Sequence, residues 1–334
     1  MQFLFRNGNL AVLGVLGAGL IVPLLLSSGF QLRMVSIIWV YALLAMGFNL
    51  LYGITGQISM GQQTFFAIGA YGFAMLQAKL GWSPFVAVPV AVLIVAAVAA
   101  VIGLPILRLR THYLAMATLA FSLMVVGLAN RWVDFTGGSG GIQVPALTIA
   151  GETLSRQGLY YALVIMAGIG LIIHNFIISG HLGRAMQAVR DDETGAESLG
   201  VNVTAVKLRV FVLAAVYAAF AGIGFALISR QVNPSFGEFP IIVAILTIAV
   251  VGGLGTRFGP ILGAIVVVLA PQLLARFGEL ETLVYGLCLG LFLIFLPHGL
   301  SGVIERLGAR FVRQAKGKHP QGLKPGKIAE GAAR

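Results

Sequence analysis

The sequence predicts an all-α protein, a polytopic membrane bundle of about ten transmembrane helices with both termini cytoplasmic. Three observations carry that prediction. The 334 residues are 58% hydrophobic and only 10% charged, where water-soluble domains carry about 25% charge. Mean hydropathy is +0.96. The apolar residues also fall in runs of the roughly 20 that a helix needs to cross a hydrocarbon core about 30 Å thick.

Broken by polar, Gly or Pro clusters, the runs place spans at 10–30, 34–54, 61–80, 84–107, 112–131, 158–179, 207–229, 239–255, 259–276 and 281–300. Arg6 followed by the first run resembles a secretory leader, but Ser27-Ser28-Gly29 is a poor cleavage site and a second run follows at once. The Gly-rich breaks near 55–60 and 252–260 are also compatible with re-entrant segments. Cys288 lies inside the last run, where a lone thiol acts as a small apolar filler. Residues 1–304 thus form one transmembrane domain, with longer connections at 131–157 outside and 180–206 inside. Residues 305–334 form a basic tail of the composition that stays disordered.

Charge sets the orientation. With ten spans and both ends inside, 16 of the 22 Lys and Arg fall on the inner face and 6 on the outer, as the positive-inside rule requires. Arg108 and Arg110, Arg184 and Arg190, and Lys207 and Arg209 agree independently of the tail. The net charge of +11 therefore reflects topology and a tail held at anionic membrane lipid, and no nucleic acid is expected as a partner.

Motifs for intrinsic chemistry are missing from the sequence. Gly326-Lys327 is followed by Ile328 and lacks the first glycine of a phosphate-binding loop. There is no HExxH motif, and His112, His174, His181, His298 and His319 show no ligand-like spacing. Almost all of the 11 acids sit at loops or helix ends, which disfavours a proton- or sodium-coupled carrier. The polar residues at membrane depth are uncharged: Asn49, Gln57, Ser59, Gln62, Gln63, Thr64, Thr118 and Ser122. They can bridge helices or line a weakly binding pathway, and Gln57, Ser59, Gln62, Gln63 and Thr64 are the pathway candidates. Glycines four apart at Gly255, Gly259 and Gly263, and at Gly286 and Gly290, mark close helix packing. The outer stretch from Thr136 to Gly141 reads as a flexible linker.

The inner connection has the composition of a folded element. Asp191 and Asp192 can cap a short helix over roughly 192–199, and Gly200 can close it. Ala196 and Leu199 share one face, while Asp192, Glu193 and Glu197 supply charge. A helix of two turns is unstable alone, so it must pack on the span ends or dock a soluble partner.

This loop, from Gly183-Arg184-Ala185 through Asp191-Asp192-Glu193 to Ala196-Glu197-Ser198-Leu199-Gly200, resembles the EAA loop of ABC importer permeases. With Asn49–Tyr71, Arg108–Leu119, Thr136–Gly141, Gly252–Pro260 and Pro297–Leu300, the chain resembles LivM-type permeases of branched-chain amino-acid importers from about residue 40 to 305. Gln62 departs from the pattern, where a His is expected in many relatives. The resemblance implies an inner-membrane subunit that pairs with a second homologous permease, two ATP-binding cassette subunits and a periplasmic substrate-binding protein. It implies no cofactor on this chain, with ATP and Mg used by the partner ATPase. It assigns ATPase coupling to Gly183, Arg184, Arg190, Asp191, Asp192, Glu193, Ala196, Glu197 and Gly200. The same family also carries urea and other small amides.

Overall fold

The computed structural model describes residues 14–23, 28–109, 111–149 and 152–275, together with positions 12, 26, 283, 286, 287, 290 and 299–302. The tail at 305–334, Cys288, His298 and most of the span expected at 281–300 lie outside the described residues.

The chain opens with a short apolar helix, α1 (Gly14–Pro23), and then α2 (Gly29–Phe48). α2 begins at Gly29, earlier than the second span that hydropathy placed at 34–54, and Arg33 lies inside it. α2 runs directly into a wider π-helical turn at Asn49–Ile54, closed by Thr55 N–H donating to Leu50 O five residues back. After a non-helical stretch come α3 (Gln62–Ala78), α4 (Pro84–Ile106) and α5 (Thr111–Arg131). The outer connection holds a single turn, α6 (Val133–Thr136), and the two-residue strands β1 (Ile142–Gln143), β2 (Thr148–Ile149) and β3 (Glu152–Thr153). Then follow α7 (Arg156–Ser179), α8 (His181–Asp191), α9 (Glu193–Ser198) and α10 (Val203–Ser229). β4 (Gln231–Val232), α11 (Phe239–Gly252) and α12 (Gly259–Leu274) complete the described fold.

Among the described residues, five helices are long and apolar enough to cross a membrane: α2 with its π turn, α4, α5, α7 and α10. α11 and α12, of 14 and 16 residues, fall short of the roughly 20 that a crossing takes. They pack on one another instead. A Cβ at Gly263 would overlap the Ile248 carbonyl, and one at Gly252 would overlap Gly259, so the expected glycine seam is present and joins these two helices. Gly286 and Gly290 meet no neighbour within 4 Å, so the second expected seam is not closed among the described residues.

α10 is the centre of the bundle, packed against α2, α3 and α4. Small residues make that approach possible. Gly69 lies against Ala219, and Gly222 lies against the Phe66 carbonyl. On α4 the buried residues are Ala87, Ala91, Val95, Ala99 and Gly103, four apart and almost all small. Its opposite face exposes Phe85, Leu93 and Val101. In hydrocarbon this arrangement is stable, because lipid tails are as apolar as leucine and helices associate through close packing.

The Thr136–Gly141 segment is no flexible linker. Thr136 Oγ1 donates to Ala129 O at 2.6 Å, and Gln231 Nε2 donates to Gly140 O at 2.7 Å. β1 pairs antiparallel with β4, with Ile142 opposite Val232. The glycines are there because the turn is tight: Gly137, Gly138 and Gly141 all have positive φ, at 76°, 58° and 71°.

Candidate functional site

The polar residues singled out at membrane depth come together where α2 ends and α3 begins. Thr55 to Gly61 are non-helical. Gln62 Nε2 donates to Ala214 O at 2.6 Å, and Ala214 is eleven residues inside α10, about 16 Å along its axis. α3 therefore starts within the bundle, and residues 55–61 are a return segment at membrane depth. Such irregular backbone is tolerated there only when enclosed by protein or lining a cavity.

Side chains from neighbouring helices secure the segment. Met60 N–H donates to Thr118 Oγ1 at 2.9 Å. Gln63 Nε2 donates to Met60 O and to Ser122 Oγ, both at 2.9 Å, and Ser122 Oγ in turn donates to Gly237 O at 3.0 Å. Ser59 Oγ accepts from Gly61 N at 3.4 Å. These bonds do not satisfy the whole cluster. Both amide atoms of Gln57, the Oε1 atoms of Gln62 and Gln63, and Thr64 Oγ1 are buried with no hydrogen-bond partner among the described residues. Buried polar groups are nearly always paired, so five orphaned atoms within eight residues form a concentration of unused hydrogen-bonding capacity.

The second Gly-rich break, 253–258, packs against the first. Asn49 joins them: its Oδ1 accepts from Gly255 N at 2.7 Å and its Nδ2 donates to Thr256 O at 2.9 Å. The same Nδ2 lies 3.3 Å from Nε2 of the fully buried His174 on α7. Gly53 is glycine because a Cβ there would collide with Asn49 and with the Gly255 nitrogen.

The inner connection forms two helices at a sharp bend, where the sequence suggested one. α9 matches the expected 192–199 element: Asp192 Oδ1 accepts from Thr194 N at 3.0 Å, and Gly200 closes the turn at φ 80°. α8 was not anticipated, although Leu182, Met186 and Val189 recur at helical spacing and its buried face is Gly183, Met186 and Val189. Gly183 packs under the Ile177 and Ile178 carbonyls, where a Cβ would clash. Arg184 contacts His181 Nδ1 at 2.7 Å. Glu193 pairs with Lys207 at 2.6 Å, the one ion pair among the described residues. Asp191, Asp192, Glu193 and Glu197 are exposed, and Ala196 is buried. Leu199, expected to share a packed face with Ala196, is instead 84% exposed.

One arginine ties this connection to the first break, and another ties the second break to the end of α7 just before it. Arg190 Nη1 donates to Gly53 O at 2.6 Å, and Arg257 in the second break donates to Ser179 Oγ, at the inner end of α7, at 3.2 Å. Among the described residues no group of three or more His, Cys, Asp or Glu is placed to hold a metal ion.

The sequence has recognisable relatives. The profile of a family described as the branched-chain amino acid transport system permease component aligns with residues 30–296. The chain belongs to this family. The permease is 33% identical over 303 residues to the high-affinity branched-chain amino acid transport system permease protein LivM of Salmonella typhimurium, covering 83% of this chain and 71% of that protein. LivM of Escherichia coli shows the same identity and coverage. The permease is also 26% identical over 287 residues to LivH of Escherichia coli, covering 78% of this chain and 91% of LivH. No solved structure matches it. In this multi-pass membrane permease, α8 is bonded to the first backbone break through Arg190, and the second break is bonded to the end of α7 through Arg257.

Proposed function

We propose that this permease is one of two membrane subunits of an ATP-driven importer that carries branched-chain amino acids inward across a bacterial inner membrane, with both of its termini cytoplasmic. Its partners are a second homologous permease, two ATP-binding cassette subunits that use ATP and Mg, and a periplasmic substrate-binding protein. The names of the relatives support this reading: LivM and LivH of Escherichia coli are each named as permease proteins of a high-affinity branched-chain amino acid transport system, and this chain is similar to both.

One observation carries the assignment of the motor contact. Leu199, the C-cap of α9, is 84% exposed, Asp191, Asp192, Glu193 and Glu197 are exposed in the same connection, and the six residues of α9 are too few to be stable without packing. An exposed leucine and four exposed acids on one short, anchored connection suit a groove with an apolar floor and a basic rim on an ATPase. For the cargo, the 57–64 segment supplies unpaired amide oxygens that accept from an ammonium group and an amide nitrogen that donates to a carboxylate. Uncharged groups hold a zwitterion weakly. Weak binding suits a pathway whose specificity is set by a separate receptor.

The test is the double variant D192K/E193K in the assembled transporter. Leucine uptake falls by about tenfold or more while the subunit still inserts, because reversing the charge on the docking helix removes the coupling free energy. Unchanged uptake would overturn the assignment of α9 as the motor contact.

A further inference from the structure

We infer that Arg190 is the positioning residue that carries movement of the inner connection into the membrane, by holding the freed carbonyl of Gly53 at the helix break. This inference rests on the reading of α8 and α9 as the motor contact.

The widening of α2 leaves Gly53 O without its usual partner. In a regular helix that carbonyl would accept from Gln57 N–H, but Gln57 N donates to Leu51 O at 3.0 Å. The Arg190 guanidinium takes the vacant place at 2.6 Å. Bonds from a cation to a helix-end carbonyl are among the stronger hydrogen bonds in proteins. The rest of the side chain is guided there: a Cβ at Gly56, which has φ 74°, would lie 3.1 Å from Arg190 Cγ, so only glycine leaves room for the arginine to cross. A Cβ at Gly255 would meet Gly53 O at 2.9 Å and Arg190 Nη1 at 3.5 Å, which places the guanidinium where the two breaks touch.

The position of the bond makes it a transmission element. Gly53 lies four residues before Gln57, the first residue of the orphaned polar cluster. Arg190 is in the last turn of α8, two residues before the Asp192 cap of α9. A displacement of α9 thus reaches the polar segment through one side chain and a few residues of backbone. Arg257, bonded to Ser179 Oγ, couples the second break to the same inner end. Both breaks then move with the connection, and Asn49 keeps them in register.

The experiment compares R190M, R190K and R190Q in the complete transporter, with both permeases, ATPases and binding protein in proteoliposomes. Leucine uptake and ATP hydrolysis are read together. R190M, which keeps the length of the side chain and removes the donor, leaves assembly and ATP hydrolysis intact and lowers leucine moved per ATP by about tenfold, the scale expected for one charge-assisted hydrogen bond. R190K restores most of that ratio and R190Q part of it. A ratio unchanged in R190M overturns the inference. So does loss of ATPase co-purification in R190M, which would place the arginine in the motor contact itself. Failure of the motor reading is separately visible, because D192K/E193K would then leave uptake unchanged. If R190M does not accumulate, R190Q and R190K decide: equal leucine-to-ATP ratios in both and in the parent overturn the inference.

Discussion

Asn49 shows how a single amide can organise a membrane bundle. It satisfies one backbone N–H and one backbone carbonyl of the second break and stands beside His174. Replacing it with leucine removes these partners from the partly buried Gly255 N–H and Thr256 carbonyl, at a cost of up to about 1–3 kcal/mol for each orphaned group. N49L should therefore unfold at clearly lower temperature in detergent, measured by thermal unfolding of the purified subunit, and an unchanged midpoint would show that the two breaks hold together without it. The Glu193–Lys207 pair makes the opposite case. Glu193 is 54% exposed, so the pair contributes under about 1 kcal/mol. K207A should leave the unfolding midpoint close to that of the parent protein. Sequence alone picked out Asn49, Gln57, Gln62 and Gln63 as uncharged polar groups at membrane depth, since polarity inside an apolar run is visible without coordinates. It could not show that Asn49 bridges to residues some 206 positions away, because a hydrogen bond between distant segments leaves no local pattern. The family resemblance puts Arg190 among the inner loop's coupling residues, but its bond to Gly53 was not legible, because it depends on how α2 ends.

At the level of elements, α9 was visible through its cap and its closing glycine, both of which are local chemistry. α8 was missed although its apolar spacing was present, because eleven residues with three charges were counted as loop. A peptide spanning 180–202 should be mostly unstructured in water by circular dichroism, since helices this short do not pay their nucleation cost without a surface to pack on. Strong helicity in that isolated peptide would mean that α8 and α9 need no support from the bundle. The α11–α12 pair makes a second element-level test. G263V places a branched side chain against the Ile248 carbonyl, so the pair must separate, and yield of folded protein by size-exclusion chromatography should drop sharply. The outer Thr136–Gly141 turn was misread because glycine density alone does not distinguish a loose linker from a turn that needs positive φ. Its strand pairing with Gln231–Val232 is again a long-range contact.

For the whole molecule, composition and hydropathy were enough for the all-α membrane class, because the bilayer imposes length and polarity on every crossing helix. They could not separate full crossings from the shorter α11 and α12, whose apolar runs look the same in sequence. In the proposed topology, α7 is the candidate crossing between the Thr136–Gly141 turn and the connection that holds α8 and α9, so the two lie on opposite sides of the membrane. In a C288A background, a cysteine introduced at Ser139 should react with a membrane-impermeant thiol reagent from the periplasmic side, and one at Glu197 only after the membrane is opened. Labelling of both from one side would refute that topology. The central claim is that this permease supplies the pathway and its neighbours supply the power. It is tested most directly by leucine accumulation in proteoliposomes, with this chain alone and with its companion permease, ATPases and binding protein. Accumulation against a gradient is predicted only in the complete assembly with ATP, and concentrative uptake by the chain alone would contradict the account.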